Sequence, residues 1–292
     1  MSVASACAAE WRDYEVLGTG GGEKLERWGS VILLRPDPQV IWKPQFDLRK
    51  AKGLHAHYIR EQGGGHWEKL RPYPEEWTIS YRDLTFSIKP MGFKHTGLFP
   101  EQAVNWDRMR ALVKDANREV RVLNLFAYTG GATVALAKEG AFVTHVDAAR
   151  GMVDRAKQNC TLSGVAPDRV RYIVDDCAKF VAREIKRGKT YDAVIMDPPS
   201  YGRGPSGETW KLEDGIYDLV QLTTRVLSEQ PLFYLINSYT TGLSATVMQN
   251  ILTRLLPKGQ TTGYELTLPT AEAGILLPCG NSALWQANHE EK

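Results

Sequence analysis

The sequence is poor in the features that mark secreted, membrane-spanning or zinc-binding proteins. Its four cysteines, Cys7, Cys160, Cys177 and Cys279, show no C-x-x-C spacing. That scatter argues against a disulfide framework or a zinc site and favours a reducing compartment. No apolar run approaches the roughly 20 residues that cross a bilayer, and the first ten residues lack the pattern of a signal peptide. We therefore expect a soluble, cytoplasmic protein without metal or membrane contact.

A strong charge of one sign is also missing. The formal net charge is +2 over 292 residues, so any nucleic-acid site must be a local patch. A hydrophobic content of 43% allows one large or two modest globular domains. We predict a small β-rich substrate-binding domain over residues 1–100 and an α/β domain over residues 101–292.

Residues 1–118 carry short β-like runs between loops rich in glycine and proline. The runs 77–81 and 84–88 alternate in polarity and flank Arg82-Asp83, which predicts a hairpin. We also predict strands over 30–34 and 39–42, loops over 18–22 and 63–65, and a helix over 102–114. These patterns indicate a β-rich domain that leads into the second domain.

From Arg121 onwards, strand and helix patterns alternate. Strands are predicted at 121–127, 142–147, 170–174, 191–197 and 232–237, and helices at 132–138, 152–162, 177–187, 214–227 and 244–255. Such alternation implies a doubly wound, mostly parallel sheet with right-handed crossovers. Residues 262–268, 275–277 and 283–285 are strand-like without an intervening helix, so we predict a seven-stranded sheet that closes with an antiparallel strand.

The stretch 120–131 organises this second domain. An apolar strand runs directly into Thr129-Gly130-Gly131 and then into a helix. In open α/β sheets, ligands bind at the carboxyl ends of the strands, where such turns lie. Gly130 has no side chain, so we expect a ligand to approach its backbone closely.

Aspartates end the next three predicted strands. Asp147 can accept hydrogen bonds from ribose hydroxyls. A carboxylate of Asp175-Asp176 can accept one from an adenine amino group, and backbone N–H groups near Cys177 can donate to a ring nitrogen. Asp197 precedes Pro198-Pro199, which fix the backbone angle φ and give one rigid loop. Each aspartate alone is equally typical of a helix N-cap, but three in succession beside a glycine turn favour a nucleotide-like ligand.

These residues resemble those of class I S-adenosylmethionine-dependent methyltransferases. The stretch 124–131, read N-L-F-A-Y-T-G-G, is similar to ribosomal-RNA methyltransferases whose first motif is N-x-F-x-Y-T-G. Lys94 to Gln102 resembles the K-T-G-F-F-x-D-Q element that precedes their catalytic domain. The resemblance covers residues 77–290 approximately, and it implies a Rossmann-like methyltransferase domain over residues 101–292 with S-adenosylmethionine as cofactor.

The resemblance also implies roles for individual residues. The glycine turn would wrap the methionine part of the cofactor, Asp147 would hold the ribose, and Asp176 with Cys177 would meet the adenine. The cofactor-binding set is therefore Phe99, Gln102, Asn124, Phe126, Ala127, Tyr128, Thr129, Gly130, Asp147, Asp176, Cys177 and Asp197. Methyl transfer would occur at Asp197, Pro198 and Pro199, and Phe99 and Gln102 would close the pocket. Transfer is a direct displacement, so the enzyme mainly has to place the nucleophile in line.

Residues after two of the predicted strands narrow the choice of reacting atom. Enzymes that methylate exocyclic amino groups usually have an aromatic residue where this chain has Ser200, although Tyr201 is next. Cytosine C5 methylation needs a cysteine nucleophile, but residues 237–240, where related cytosine enzymes have it, contain no cysteine. Cys279 is the remaining candidate, and it is more typical of a small buried hydrophobic residue. A ring nitrogen such as guanine N7 needs neither a base nor a thiol, and Asn237 could contact it.

Residues 43–71 suggest RNA as the partner. They carry seven basic and three acidic side chains, a balance of +4, with Trp42, Phe46, Tyr58 and Trp67 interleaved. Basic groups contact phosphates and aromatic rings stack on unpaired bases, although a solvated surface over a small aromatic core fits equally well. We interpret His55, His57 and His66 as surface residues rather than metal ligands. In the loop after Tyr201, which its glycines are expected to make mobile, Arg203 and Lys211 could bind a phosphate.

Three other classes of function stay open. The first is a methyltransferase of a protein or small molecule on the same fold. The second is a nicotinamide-dependent oxidoreductase, although the turn lacks G-x-G-x-x-G and Asp197-Pro198-Pro199 has no role there. The third is an RNA-binding protein without catalysis, which intact Asp197 disfavours.

Overall fold

A computed structural model describes residues 4–288, apart from 93, 204–208 and 241. The strands are β1 Ser5–Cys7, β2 Tyr14–Gly20, β3 Glu23–Trp28, β4 Val31–Pro36, β5 Leu54–Glu61, β6 Gly64–Lys69, β7 Trp77–Tyr81, β8 Leu84–Ile88, β9 Arg121–Leu125, β10 Phe142–Asp147, β11 Val170–Val174, β12 Ala193–Met196, β13 Tyr201–Arg203, β14 Thr209–Lys211, β15 Phe233–Ser238, β16 Gly259–Pro269 and β17 Leu276–Ala287. The helices are α1 Ala103–Asp115, α2 Gly131–Lys138, α3 Arg150–Leu162, α4 Cys177–Lys186, α5 Leu212–Thr224 and α6 Ala245–Leu255.

The chain forms two compact units, and each is discontinuous in sequence. Within the described residues, the larger unit contains 4–6, 105–266 and 280–288, and the smaller unit contains 7–104 and 267–279. The late segment 267–279 thus belongs to the same unit as the N-terminal residues. The functional division predicted after residue 100 stays a prediction.

The large sheet has the strand order β1-β16-β17-β15-β12-β9-β10-β11. The central strands β15, β12, β9, β10 and β11 pair in parallel, whereas β17 runs antiparallel to β15. The predicted α/β class and the antiparallel closing strand are confirmed. The described sheet has eight strands rather than seven, because the three-residue β1 adds to one edge. The two strand-like runs 275–277 and 283–285 form one long strand, β17.

Helices cover both faces of the parallel region. Leu123, Leu125 and Val146 point to one face and pack with α4, α5 and α6 in a large buried cluster. His145 points to the opposite face, since side chains alternate along a strand, and it contacts α2 through Thr133. Because both faces are covered, the strands need no polar–apolar alternation. No helix among the described residues is long and apolar enough to span a membrane.

The smaller unit contains a five-stranded sheet of order β2-β3-β4-β5-β6 and the hairpin β7–β8. The hairpin has the predicted bounds, and Tyr81 lies opposite Leu84. In contrast, 18–22 and 63–65 are strand ends and tight turns rather than loops, and 39–42 is not a strand. The glycines lie at these turns, where Gly21, Gly22 and Gly63 adopt positive φ.

Candidate active site

The glycine turn after β9 has an unusual backbone. Phe126 and Tyr128 have φ of +53° and +51°, although neither is glycine, and Gly130 has φ of +82°. Each non-glycine residue in the left-handed region costs about 1–2 kcal/mol, and such residues are concentrated at functional sites. The turn is held by the bond from Ala127 N to Val146 O, at 3.1 Å. It therefore has a defined shape with an energetic cost.

Both glycines of the turn are required by packing. A Cβ at Gly130 would lie 2.9 Å from Ala156 Cβ, and one at Gly131 would lie 2.7 Å from Trp106 Cζ2. The space that the missing Gly130 side chain leaves is thus filled by α3. The close approach of a ligand to the Gly130 backbone stays a prediction.

Asp147 joins the end of β10 to the glycine turn. Its Oδ2 accepts a hydrogen bond from Tyr128 N at 2.9 Å, and its Oδ1 accepts one from Ala149 N at 2.8 Å. Its carbonyl oxygen accepts from Asp175 N at 3.1 Å. The ends of β9, β10 and β11 are therefore tied to one another, as the predicted convergence requires.

The start of α4 is the third member of this cluster. Asp176 is the N-cap, and its Oδ1 accepts from Lys179 N at 2.8 Å. Cys177 is buried, and its sulfur accepts from Phe126 N at 3.3 Å. Burial raises the pKa of the Cys177 thiol to about 12, although the Phe126 bond opposes the shift. Cys177 is thus a protonated thiol that links α4 to the glycine turn.

Asn124 and its neighbours form a buried polar group beneath the turn. The Asn124 amide donates to Thr133 Oγ1 at 2.9 Å, and Thr133 lies 2.9 Å from His145 Nδ1. Burial lowers the pKa of His145 to about 3, so the ring is neutral. The tautomer of His145 decides which of the two groups, the Thr133 hydroxyl or Nδ1, donates in this second hydrogen bond. The Asn124 side chain thus makes its hydrogen bond to another buried residue of the fold. A contact between Asn124 and the cofactor stays a prediction.

Asp197 begins the rigid loop after β12 and is oriented from β15. Its Oδ1 accepts from Asn237 Nδ2 at 3.0 Å. Asn237 is 1% exposed, and its Oδ1 accepts from Ser282 at 2.9 Å. Both ends of this amide are thus used inside the unit. The base contact that we considered for Asn237 is replaced by a contact to Asp197.

The remainder of the loop is fixed by side chains that the sequence patterns did not single out. Trp210 Nε1 donates to Pro199 O at 2.8 Å, and Thr240 donates to Ser200 Oγ at 2.6 Å. Pro198 is buried, whereas Pro199 and Ser200 are exposed. Pro198 and Pro199 fix φ and have no backbone N–H, and these side-chain bonds restrict the loop further.

A short hairpin comes after the loop. Tyr201 pairs with Lys211, and the strands β13 and β14 run antiparallel. Tyr201 is 53% exposed directly beyond Ser200. Mobility was predicted for the glycines of the loop 202–207. Gly202 pairs with Trp210 in the hairpin, whereas 204–208 lie outside the described residues.

Phe99 and Gln102 belong to the smaller unit. Phe99 precedes the short 3-10 turn Pro100–Gln102, and its ring centroid lies 5.6 Å from that of His95. Their closing of the cofactor pocket stays a prediction.

The structure changes the interpretation of residues 43–71 in part. Tyr58 is buried and cannot stack on a base, and Trp42 and Trp67 are half-buried with their ring N–H groups bonded to Thr19 Oγ1 and Met91 O. His57 is buried against Glu23 at 2.6 Å, so it is not the surface histidine that we expected. The aromatic residues here mainly form a small core.

The basic residues of this region remain at the surface. Exposed members are Lys43, Arg49, Lys50, Lys52, Arg60, Lys69 and Arg71, together with Phe46. Arg49 and Lys50 have acidic neighbours in Glu23 and Asp47. The positive part of the predicted patch is thus present, without most of its stacking surface.

The sheet order defines a Rossmann-like α/β fold, and aspartates lie at the carboxyl ends of its linked strands. A family profile described as S-adenosylmethionine-dependent methyltransferase matches residues 31–233. The chain belongs to this family, and its cofactor is S-adenosylmethionine. The predicted class of enzyme is confirmed, and the nicotinamide alternative is excluded.

Curated relatives are named as ribosomal RNA enzymes. Ribosomal RNA large subunit methyltransferase I of Photobacterium profundum is 30% identical over 194 residues, which are 66% of this chain and 46% of that protein. The K/L enzyme of Shewanella frigidimarina is 29% identical over 174 residues, 57% of this chain and 24% of that protein. This chain therefore spans about a quarter to a half of the length of these relatives.

Two solved structures have the same fold. A SAM-dependent methyltransferase from Agrobacterium tumefaciens is 31% identical with a TM-score of 0.91, over 99% of this chain and 94% of that one. A methyltransferase from Streptococcus mutans is 18% identical with a TM-score of 0.71, over 94% and 76%. The second likeness concerns the fold alone.

Proposed function

We propose that this protein methylates a base of RNA, with ribosomal RNA as the favoured substrate. The observation that carries the proposal is the convergence of the glycine turn, Asp147 and Asp176 on one sheet edge, with Asp197 on the neighbouring strand. The names of the curated relatives support RNA as the substrate. The exposed basic residues of 43–71 support contact with phosphates.

The residues at the edge fit the cofactor. The Asp147 carboxylate suits ribose hydroxyls, and Asp176 with the first amides of α4 suits an adenine edge. The backbone from Phe126 to Gly130 would enclose the methionine part. When bound, S-adenosylmethionine supplies an electrophilic methyl group, and the Asp197 loop would face it.

Asp197 would act on the substrate side by accepting a hydrogen bond from an N–H group of the target base. Its loop, fixed by Pro198, Pro199 and Trp210, would present that acceptor in one orientation. Placement of the nucleophile in line is the main requirement of a direct displacement. No general base is required for an unprotonated ring nitrogen.

The cysteines favour a ring nitrogen over cytosine C5. Burial raises the pKa of Cys160, of Cys177 and of Cys279, whereas a nucleophile must be a thiolate. Strand β15 is followed by Tyr239 and Thr240. All four cysteines are free thiols, which supports the proposed cytoplasmic, reducing setting.

The substrate class is tested with radiolabelled S-adenosylmethionine and three pools: total RNA, total protein and small metabolites. We expect label in RNA, and digestion to nucleosides will identify the methylated atom. Label that enters only protein or metabolites contradicts the RNA proposal and supports the alternative substrate class. Label at cytosine C5 contradicts the ring-nitrogen assignment.

The role of Asp197 is tested with Asp197→Ala. We expect methyl transfer to fall about 100-fold or more, while the dissociation constant for S-adenosylmethionine, measured by calorimetry, changes little. Asp168→Ala is the control, because Asp168 is exposed in the turn before β11. Full activity of Asp197→Ala shows that the reacting centre lies elsewhere.

A further inference from the structure

A chain of buried polar side chains leads through the larger unit to Asp197. The Tyr264 hydroxyl donates to Asn105 Oδ1 at 2.6 Å, and Asn105 Nδ2 donates to Ser282 Oγ at 3.0 Å. Ser282 donates to Asn237 Oδ1 at 2.9 Å, and Asn237 Nδ2 donates to Asp197 Oδ1 at 3.0 Å. Asn105 and Ser282 are fully buried, and Tyr264 and Asn237 are each 1% exposed. We call these four buried residues the relay.

The relay is built from elements that are distant in sequence. Asn105 lies on α1, Tyr264 on β16, Ser282 on β17 and Asn237 on β15. Ser282 lies directly opposite Asn237 in the antiparallel pair β15–β17. The relay therefore crosses three neighbouring strands and ends at the strand tip that carries Asp197.

The carboxylate at the end fixes the direction of every bond. An ionised carboxylate only accepts, so Asn237 must turn its NH2 group to Asp197 and its oxygen to Ser282. Ser282 must then give its single hydrogen to Asn237 and accept from Asn105. The Asn105 oxygen consequently faces Tyr264, which donates. Burial raises the pKa of Tyr264, so this phenol keeps the proton that the arrangement needs.

Four buried polar groups are costly compared with apolar residues of the same volume. A fully bonded network is rigid, however, and removing one member affects the others. The guanidinium of Arg108 lies 4.0 Å from the centroid of the Tyr264 ring, at the far end of the relay. The arrangement thus suits a device that holds one group in one orientation.

We propose that Tyr264, Asn105 and Ser282 are positioning residues, which lock the Asn237 amide and through it hold Asp197 toward the target base. This rests on the proposed role of Asp197 as the substrate-side acceptor. None of the three needs to touch the cofactor or the base. Their loss should therefore lower the rate of transfer without weakening the binding of S-adenosylmethionine.

Three variants test the relay. Tyr264→Phe removes the terminal donor, and Ser282→Ala removes the link to Asn237. Asn105→Asp keeps the shape but offers only acceptors, so it draws the Ser282 hydrogen away from Asn237. Tyr191→Phe is the matched control, because it removes a buried tyrosine hydroxyl that donates to Glu184 at 2.6 Å and takes no part in the relay. Tyr191 precedes β12, whereas Asp197 comes after it, so the two residues lie at opposite ends of that strand.

Kinetics are measured with whichever pool wild-type protein labels. We expect kcat to fall on the order of 10- to 100-fold in the three variants, with KM and cofactor affinity within about twofold. Tyr191→Phe should retain the wild-type kcat. Label in protein rather than RNA would contradict the RNA proposal while leaving this comparison intact.

A second readout does not depend on activity. The Asn237 side-chain NH2 signals in 15N spectra are assigned by their loss in Asn237→Ser. We expect these NH2 protons to exchange with solvent about tenfold faster in Tyr264→Phe and Ser282→Ala than in wild type. If no pool is labelled, this measurement decides whether the relay orients Asn237. An unchanged exchange rate of the Asn237 NH2 protons overturns the proposal. Faster exchange combined with a wild-type kcat also overturns it, because the relay would then have a structural role only.

Discussion

At Gly131, a single hydrogen instead of a methyl group decides whether α2 can lie against α1. A Cβ there would come within 2.7 Å of Trp106 Cζ2, and the indole is 2% exposed with little room to move. Gly130 combines a close approach to Ala156 with a positive φ. These two residues therefore link the backbone shape of the turn to the packing of three helices.

We expect Gly131→Ala to lower the free energy of unfolding by about 1–3 kcal/mol, because the added methyl group overpacks the Trp106 site. Denaturant titration will measure the change. Gly151→Ala is the control, since Gly151 lies on α3 with open space around its Cβ position. There, alanine should stabilise the helix by about 0.5–1 kcal/mol. The same change in stability in both variants would contradict the packing explanation.

At the residue scale, the sequence indicated the placement of candidate site residues only where a motif marked them, and their roles stay predictions. Asp147 and Asp197 were found from their positions after apolar strands, and the structure places both at the shared edge. No local pattern marks Tyr264 or Ser282 as part of the relay. Tyr264 bonds to Asn105 and Ser282 bonds to Asn237, and the partners of each pair are at least 45 positions apart in sequence. Sequence periodicity reports only on near neighbours.

At the scale of elements, the α/β repeat was predicted well. Helices α3, α4 and α6 begin and end within two residues of the predicted bounds. An apolar face marks each of them, and a side chain also caps two of them, Asp176 before α4 and Ser244 before α6. Strands β2, β3, β5 and β6 were missed. Glycine lies in β2 and β6, and each of the four strands contains at least one charged residue. Both features lower the β signal, although pairing with neighbouring strands stabilises the strands.

Strands β3 and β4, which pair antiparallel, are also linked by a buried ion pair between Glu26 and Arg35. Burial would raise the pKa of Glu26, but Arg35 and Lys24 and the bonds from Arg35 and Tyr14 outweigh it and lower the pKa to about 2. Arg35 Nε donates to Glu26 Oε2 at 2.6 Å, and the Tyr14 hydroxyl donates to Oε1 at 2.6 Å. Glu26 itself is fully buried. The polar face of this sheet thus depends on an ionised carboxylate.

A depressed pKa gives stability that is complete above the unfolded value, near pH 4.5, and is lost as pH falls toward 2. We expect Glu26→Gln to destabilise the protein by about 3 kcal/mol at pH 7, and the difference from wild type should shrink between pH 4.5 and 2. Unfolding midpoints measured across this range test it. Glu15→Gln is the control, because the Glu15–Arg27 pair on the same sheet is partly exposed. A difference independent of pH contradicts the assignment.

At the scale of the whole molecule, the smaller unit is not a contiguous piece of sequence. Its late segment bonds to its early part at Ala8 N to Thr267 O, 3.0 Å, and at Ala271 N to Val16 O, 2.9 Å. Gln39 also donates to Cys279 O at 3.1 Å. The boundary predicted from composition could not anticipate this return, because the strand-like runs 262–268 and 275–277 carry no signal of the unit in which they pack.

We expect a fragment of residues 7–104 to be unfolded or aggregated, because it lacks these backbone partners. The same fragment with 267–279 attached through a flexible linker should regain β structure and cooperative melting. Circular dichroism of the two fragments will compare them. A folded, cooperative 7–104 fragment would show that the return segment is dispensable.

The discontinuity also bears on how the chain is made. Residues emerge from the ribosome in order, so the first hundred must wait for Thr267–Cys279 before their sheet is complete. The larger unit waits as well, since Ser282 and its strand come later still. Neither unit can complete its core before these late segments have been synthesised, so the nascent chain carries two incomplete cores that must avoid aggregation until then.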